Sequence, residues 1–269
     1  MNREELLEKY QEDEDRIFAA SIIDKIKIAK TRNQIVVTDF LDMYKKKVAT
    51  DVLNYSKEKN YIFYTKYEEM DKPILLIFPQ KYEDIIRENK FDYSTIIQVI
   101  RVELPNELKG RYSHKDYLSG IMKIGIKREK VGDIIVFDDG ADILVKADIS
   151  EYIYQNIKLL TRFSKAKFKI VNLEDVRKPN ITKKEIRITV QTPRIDSIVS
   201  ELINCSRNEA TNLIREKRVF VNYECTYRNS KNVEIGDVVV IRGKGKFKII
   251  ASQGETKKGK IALCVEHYI

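Results

Sequence analysis

Apolar side chains recur along this chain with several periods, and each period predicts a different kind of segment. Near the start, Leu6, Leu7 and Tyr10, then Ile17, Phe18, Ile22, Ile23 and Ile26, return every three or four residues, which places them on one face of a helix. Thr38 and Asp39 precede Phe40 and Leu41 as N-cap candidates for a further helix, continued by Val48, Val52 and Leu53. With no Gly or Pro ahead of Pro73, the stretch predicts an N-terminal helical segment over residues 1–72.

From Pro73 the period shortens. The run ILLIF at Ile74–Phe78 lies between two prolines, as a buried strand would. A short helix is expected at Tyr82–Glu88 and a strand at Ser94–Leu104. Ser113 with Asp116 three residues on forms a capping box for a helix through Tyr117, Leu118, Ile121 and Met122, with Gly125 as its stop. Strands at Asp133–Phe137 and Ile143–Ala147 flank the hairpin signal Asp138–Asp139–Gly140. A helix from Ser150 to about Arg162 and a strand at Lys167–Val171 follow. Residues 73–176 thus read as an α+β domain of ferredoxin-like or RNA-recognition-motif-like type.

RKPNITKK at Arg177–Lys184 has the composition of a surface connection and marks a boundary, so residues 177–269 form a third domain. EIRITVQT alternates like an entry strand. Ile195, Ile198, Val199 and Leu202 make one apolar stripe, and Ala210, Leu213 and Ile214 another, so two short helices can pack together. Ser206 and Glu209 cap the second. Val233, Gly236 and Asp237 lead into the strand VVVI, and GETKKGK predicts a hairpin turn before IALCVEHYI.

Composition narrows the function. Hydrophobic residues make up 43% and charged residues 34%, a balance that folds. No apolar run reaches the roughly 20 residues of a membrane span, and MNREELLEKYQEDEDR carries charges where an export signal needs an apolar core. The expectation is a cytoplasmic protein without a membrane partner. Cys205, Cys225 and Cys264 are widely spaced and form no C-x-x-C pair, which argues against a disulfide framework or a zinc site. No metal or other cofactor is expected.

Charge points to a polyanion. Arg177–Ile269 holds nineteen basic and ten acidic residues, an excess equal to the whole net charge of +9, while the preceding residues balance. Releasing counterions from phosphates favours such a partner. Arg194, Ser206, Arg207, Arg215, Lys217, Arg218, Asn222, Arg228, Lys244 and Lys246 are the RNA-binding candidates. Between Lys109 and Lys130 seven basic residues stand against two acidic ones, so His114, Lys115, Lys123, Lys127 and Arg128 form a possible second RNA contact.

Within the last domain the spaced pattern R-I-D, S-R-x-x-A-x-x-L-I, V-x-V-N and V-x-x-G-D-x-V-x-V resembles the S-four RNA-binding domain, named after a small-subunit ribosomal protein. That family usually has Gly where this chain has Lys217 and Tyr223. A turn needing positive φ would cost Lys217 about 1 kcal/mol. TDFLDMY at Thr38–Tyr44 and SHKDYLSGIMKIGIKREKVGDI at Ser113–Ile134 resemble the bacterial YlmH family, in which a helical segment and an RNA-recognition-motif-like domain precede the S-four module. The resemblance implies a ribosome-associated factor, related through its last domain to RqcP, that acts in quality control or rescue of stalled large subunits still holding peptidyl-tRNA. By that resemblance, Arg194 and Arg207 are the arginines expected to touch ribosomal RNA and tRNA. The expected form is a monomer.

The rival class is an RNA-modifying enzyme, since S-four modules accompany pseudouridine synthases, methyltransferases and tyrosyl-tRNA synthetases. No G-x-G-x-x-G or P-loop occurs, and His114 and His267 are the only histidines. Asp138, Asp139 and Asp142 cluster at a hairpin tip, where a solvated turn is the simpler reading. The reading is therefore non-enzymatic, with a uridine isomerase needing one Asp as the alternative. A protein-binding scaffold is a third class, for which the charge-balanced first segment indicates no ligand.

Overall fold

The computed structural model describes residues 3–67, 69–180, 182–222, 224–256 and 259–268. It divides into two compact units, Met1–Pro179 and Asn180–Ile269, and the division falls inside the RKPNITKK stretch.

The first unit runs α1 (Arg3–Leu7), α2 (Asp13–Arg32), β1 (Val36–Phe40), α3 (Met43–Tyr55), β2 (Tyr61–Tyr64), β3 (Ile74–Ile77) and α4 (Glu83–Arg87). It continues with β4 (Ile97–Glu103), α5 (His114–Lys123), β5 (Val131–Phe137), β6 (Gly140–Lys146), α6 (Ser150–Ile157) and β7 (Lys167–Val171). Two antiparallel sheets result, ordered β1-β3-β2 and β5-β6-β4-β7. The second sheet with α5 and α6 is a β-α-β-β-α-β unit, the ferredoxin-like succession.

The layers follow from alternation. On β3, Leu75 and Ile77 pack with Ile22, Ile26, Val52 and Leu53 of α2 and α3. Ile74 and Leu76 point the other way and join Val99, Ile135 and Leu144 of the four-stranded sheet. Ile100, Val102, Ile143 and Val145 leave that sheet's opposite face for Tyr117 and Ile121 of α5 and Ile153 and Ile157 of α6. The unit is a stack of helices, sheet, sheet and helices. The central strands β3 and β6 are buried along their whole length, and ILLI accordingly reads as a continuous apolar run, whereas the edge strand β7, KFKIV, keeps exposed lysines.

Two details tie the sheets together. Lys146, 7% exposed, donates from Nζ to the Thr38 carbonyl at 3.1 Å. A Cβ on Gly132 would come within 2.6 Å of the Phe40 ring, so only Gly allows the sheets to approach that closely.

The first segment holds its expected helices but also the strands β1 and β2, which the helical reading of residues 1–72 lacks. Thr38 and Asp39 are strand residues rather than N-caps. The Thr38 hydroxyl oxygen accepts from Leu75 N, and the cap of α3 is Asp42, which accepts from Lys45 N at 2.8 Å. The β-branched run IVVT prefers the pleat, and sheet partners from after Pro73 complete it. The capping box of Ser113 and Asp116 forms as expected, and Gly125 follows the helix end with φ 83°.

At the hairpin between β5 and β6, the three aspartates part company. Asp142 is fully buried and accepts from Arg101 Nε and Nη2 at 2.8 and 2.7 Å and from Arg177 N, Nε and Nη2 at 2.9, 3.2 and 2.9 Å. Arg177 also reaches Asp139 at 2.8 Å and lies over the Phe137 ring at 4.0 Å. Burial alone would raise the Asp142 pKa, but the bonds from the two arginines outweigh it and hold the group below the usual carboxylate range. The cluster is structural.

The second unit runs β8 (Lys183–Val190), α7 (Ile195–Leu202), α8 (Arg207–Arg215), β9 (Val219–Val221), β10 (Glu224–Cys225), β11 (Val238–Ile241), β12 (Gly245–Glu255) and β13 (Ile261–Tyr268). Its strands form one antiparallel sheet, ordered β10-β9-β11-β12-β13-β8 among the described residues. Ile198, Val199, Leu213 and Ile214 of the helices pack on Val219, Val239, Phe247 and Val265 of one sheet face. The GETKKGK turn joins β12 to β13 through Thr256 N donating to Lys260 O at 2.7 Å; Lys257 and Lys258 lie outside the described residues.

Helix α8 ends in a Schellman arrangement: Lys217 N donates to Ile214 O at 3.1 Å and Arg218 N to Leu213 O at 3.0 Å. Lys217 sits at the position that favours Gly, with φ 59°. Tyr223, the other expected Gly position, lies outside the described residues.

Two stability predictions follow from these contacts. Lys217→Gly should raise the unfolding free energy by about 0.5–1 kcal/mol, read by urea denaturation, because the αL penalty disappears. Asp142→Asn should lower it by about 3 kcal/mol or more, since two arginines lose their buried counter-charge. Because the folded state depresses the Asp142 pKa, its contribution is present above the unfolded carboxylate pKa of about 4 and is lost as pH falls further. Melts of the wild type and variant should therefore converge in acid.

Candidate nucleic-acid interface

The R-I-D motif explains itself once folded. Arg194 is the N-cap residue of α7, and Asp196 follows in its first turn, its side chain 6% exposed. Asp196 accepts from Arg194 Nε and Nη2 at 3.2 and 3.0 Å. Arg207, in the first turn of α8, brings Nε to 3.4 Å and Nη2 to 3.5 Å from the same carboxylate. Burial works to raise the Asp196 pKa, but the bonds from Arg194 and Arg207 dominate and depress it. One carboxylate thus holds two guanidinium groups side by side and cancels one of their two charges.

Both arginines remain accessible, with side chains 39% and 56% exposed. Each meets Asp196 through Nε and Nη2, which leaves its Nη1 edge for a phosphate oxygen. The loop at 229–232 fixes the base of the site: Ile195 N donates to Lys231 O at 2.8 Å, and Arg194 bridges Asn232. Ser206 serves as the cap, its hydroxyl accepting from Glu209 N at 3.1 Å.

The other candidates separate into groups. Arg215 and Lys217 are exposed at the end of α8, and the Lys217 Nζ lies 5.6 Å from the ring of Tyr227, itself 65% exposed. Arg228 is exposed in the loop after it. Arg218 donates to the Arg242 carbonyl at 3.0 Å and approaches Glu216 at 3.5 Å. Asn222 is engaged in a turn: its amide donates to Asp237 and accepts from Val238 N at 2.9 Å. Lys244 is exposed in the turn between β11 and β12, whereas Lys246 points from the sheet face away from the helices. The structure therefore joins Arg194 and Arg207 and places Lys246 on the opposite side of the sheet.

In the first unit, His114 and Arg128 come near Lys72, which the pattern of charges did not reveal. Desolvation and then the Arg128 charge push Lys72 down to about 8, while desolvation, Arg128 and Lys72 lower His114. The Asp133 carboxylate positions this corner by accepting from Asp71 N and Lys72 N, both at 3.1 Å. Lys115, Lys123 and Lys127 stand exposed on α5 and the turn after it. Among the described residues no cluster of metal-ligating side chains occurs, and no helix is long and apolar enough to cross a membrane.

The roles of Asp196 and Tyr227 were also missed from sequence. For Asp196 a signal existed, since a carboxylate two positions after an arginine at a helix start can fold back on it.

Comparison with known proteins agrees with these two halves. Residues 89–177 match a family model described as the putative RNA-binding domain in YlmH, and residues 193–239 match the S4 domain. The chain is 24% identical over 258 residues, covering 95% of it and 96% of the relative, to ribosome-associated protein quality control protein P2 of Bacillus subtilis (strain 168). A solved structure, cell division protein ylmH from Streptococcus pneumoniae, matches with TM-score 0.49 and 16% identity over 62% of this chain and 98% of that one. The chain thus carries, in this order, a segment matching the putative RNA-binding domain in YlmH and an S4 domain, and it is similar along nearly its whole length to a ribosome-associated quality control protein.

Proposed function

We propose that this protein binds structured ribosomal RNA and tRNA on the large ribosomal subunit and acts, without catalysis, in quality control of stalled translation in the cytoplasm. The observation that carries the reading is the pair Arg194 and Arg207, held on the buried Asp196 with free guanidinium edges at the starts of two adjoining helices. A carboxylate that orients two cations gives up net charge but fixes where they point, and fixed forks suit the repeated phosphates of a folded RNA. Support from kinship is the Bacillus subtilis relative, named as a ribosome-associated quality control protein. Arg215, Lys217 and Arg228 extend the same charge along exposed positions.

Replacing Arg194 and Arg207 together by Gln should reduce cosedimentation with large subunits at least tenfold. It should also lower the slope of log affinity against log salt by about 2, since two phosphate contacts are removed. Cosedimentation equal to wild type rejects the assignment. Mass mapping of ribosomal RNA and tRNA from cells lacking the protein should show every modification intact; a missing one would establish an enzyme instead.

A further inference from the structure

The six-stranded sheet of the second unit is covered by helices on one face, and its other face carries a row of side chains that the strand register aligns. Phe220 on β9 pairs with Val240 on β11, Val240 with Lys246 on β12, Lys246 with Tyr268 on β13, and Tyr268 with Lys183 on β8. Neighbouring residues in each strand, such as Val221, Val239, Phe247 and Ile249, point into the core, so the row faces outward.

Its chemistry is aromatic and cationic, with Val240 the one aliphatic member of the row. The Arg242 guanidinium carbon lies 4.7 Å from the centre of the Phe220 ring. Lys246 and Lys183 lie 5.0 and 5.1 Å from the Tyr268 ring. Lys248 and Arg187 occupy the outward positions nearby, against Glu185 and Glu266, of which Glu266 approaches Lys183 at 3.7 Å. Cations outnumber carboxylates five to two on this face. Three strand steps separate the two rings, about 14 Å.

We infer that this face is a second nucleic-acid surface, one that takes a single-stranded RNA segment across the strands. Two ring platforms on a sheet stack unpaired bases, and the interleaved cations follow the backbone. The pair Arg194 and Arg207, in contrast, belongs to helix starts on the other side of the sheet. Most of the surface comes from β8, β12 and β13, outside the 193–239 match to the S4 domain. The inference goes beyond the reading above, and the two fail separately.

The test uses the full-length protein, a labelled unstructured RNA decamer and a labelled RNA hairpin. Tyr268→Leu should weaken decamer binding about tenfold with an unchanged salt slope, because a stacking platform is lost. Lys183→Gln combined with Arg242→Gln should weaken it and lower the slope by about 1.4, the value for two single-strand phosphate contacts. Hairpin affinity should stay within about twofold of wild type in both cases, and Tyr268→Phe, which keeps the ring, should bind the decamer normally and control for folding. Arg194→Gln with Arg207→Gln should do the reverse. Decamer affinity unaffected by the face variants overturns the inference, including the case in which they abolish self-association seen by sedimentation. An equal loss on the hairpin overturns it too.

Discussion

Burial of β3 on both faces is the constraint from which the arrangement of this protein follows. Leu75 and Ile77 commit one side to α2 and α3, and Ile74 and Leu76 commit the other to the four-stranded sheet. That second commitment covers a sheet face which, in a bare β-α-β-β-α-β domain of the RNA-recognition type, would be open to stack bases. Residues such as Val99, Ile135 and Leu144 are accordingly aliphatic and dry. Lys72, His114 and Arg128 gather away from that covered face, on a loop, a helix start and a turn.

The second unit solves the opposite problem. Its helices cover a single face, so its strands alternate, as in KFKII with Phe247 and Ile249 inward and Lys246 and Lys248 outward. The excess charge of the chain is thereby distributed over two sides of one sheet. On the helix side, the charge is organised by Asp196; on the other, by aromatic rings. A carboxylate directs guanidinium groups at fixed angles and suits folded RNA, whereas rings offer faces without directional demands.

The two buried carboxylates show how the same chemistry serves different ends. Asp142 and Asp196 each hold two arginines and each has a pKa below its ordinary value. Asp142 is wholly enclosed, so Arg101 and Arg177 contribute to the fold. Asp196 sits beneath arginines that remain accessible, so the pair keeps capacity for a ligand.

Local signals in the sequence determined the elements whose causes are local. Ser113 and Asp116 capped α5, Ser206 capped α8, Asp138–Asp139–Gly140 turned the hairpin, and the R-I-D and S-R spacing marked the S4 module. Each involves residues a few positions apart, within reach of one turn of backbone. Partners distant in sequence were decided only by the tertiary structure. β1 and β2 became strands because β3, from after Pro73, supplied their hydrogen bonds, and Asp142 left its hairpin tip for Arg177, which the chain delivers 35 residues later. Likewise, nothing in the linear order places Phe220, Lys246, Tyr268 and Lys183 in one row. Register across strands does, because a pleat of period two turns sequence neighbours to opposite faces and brings remote residues together.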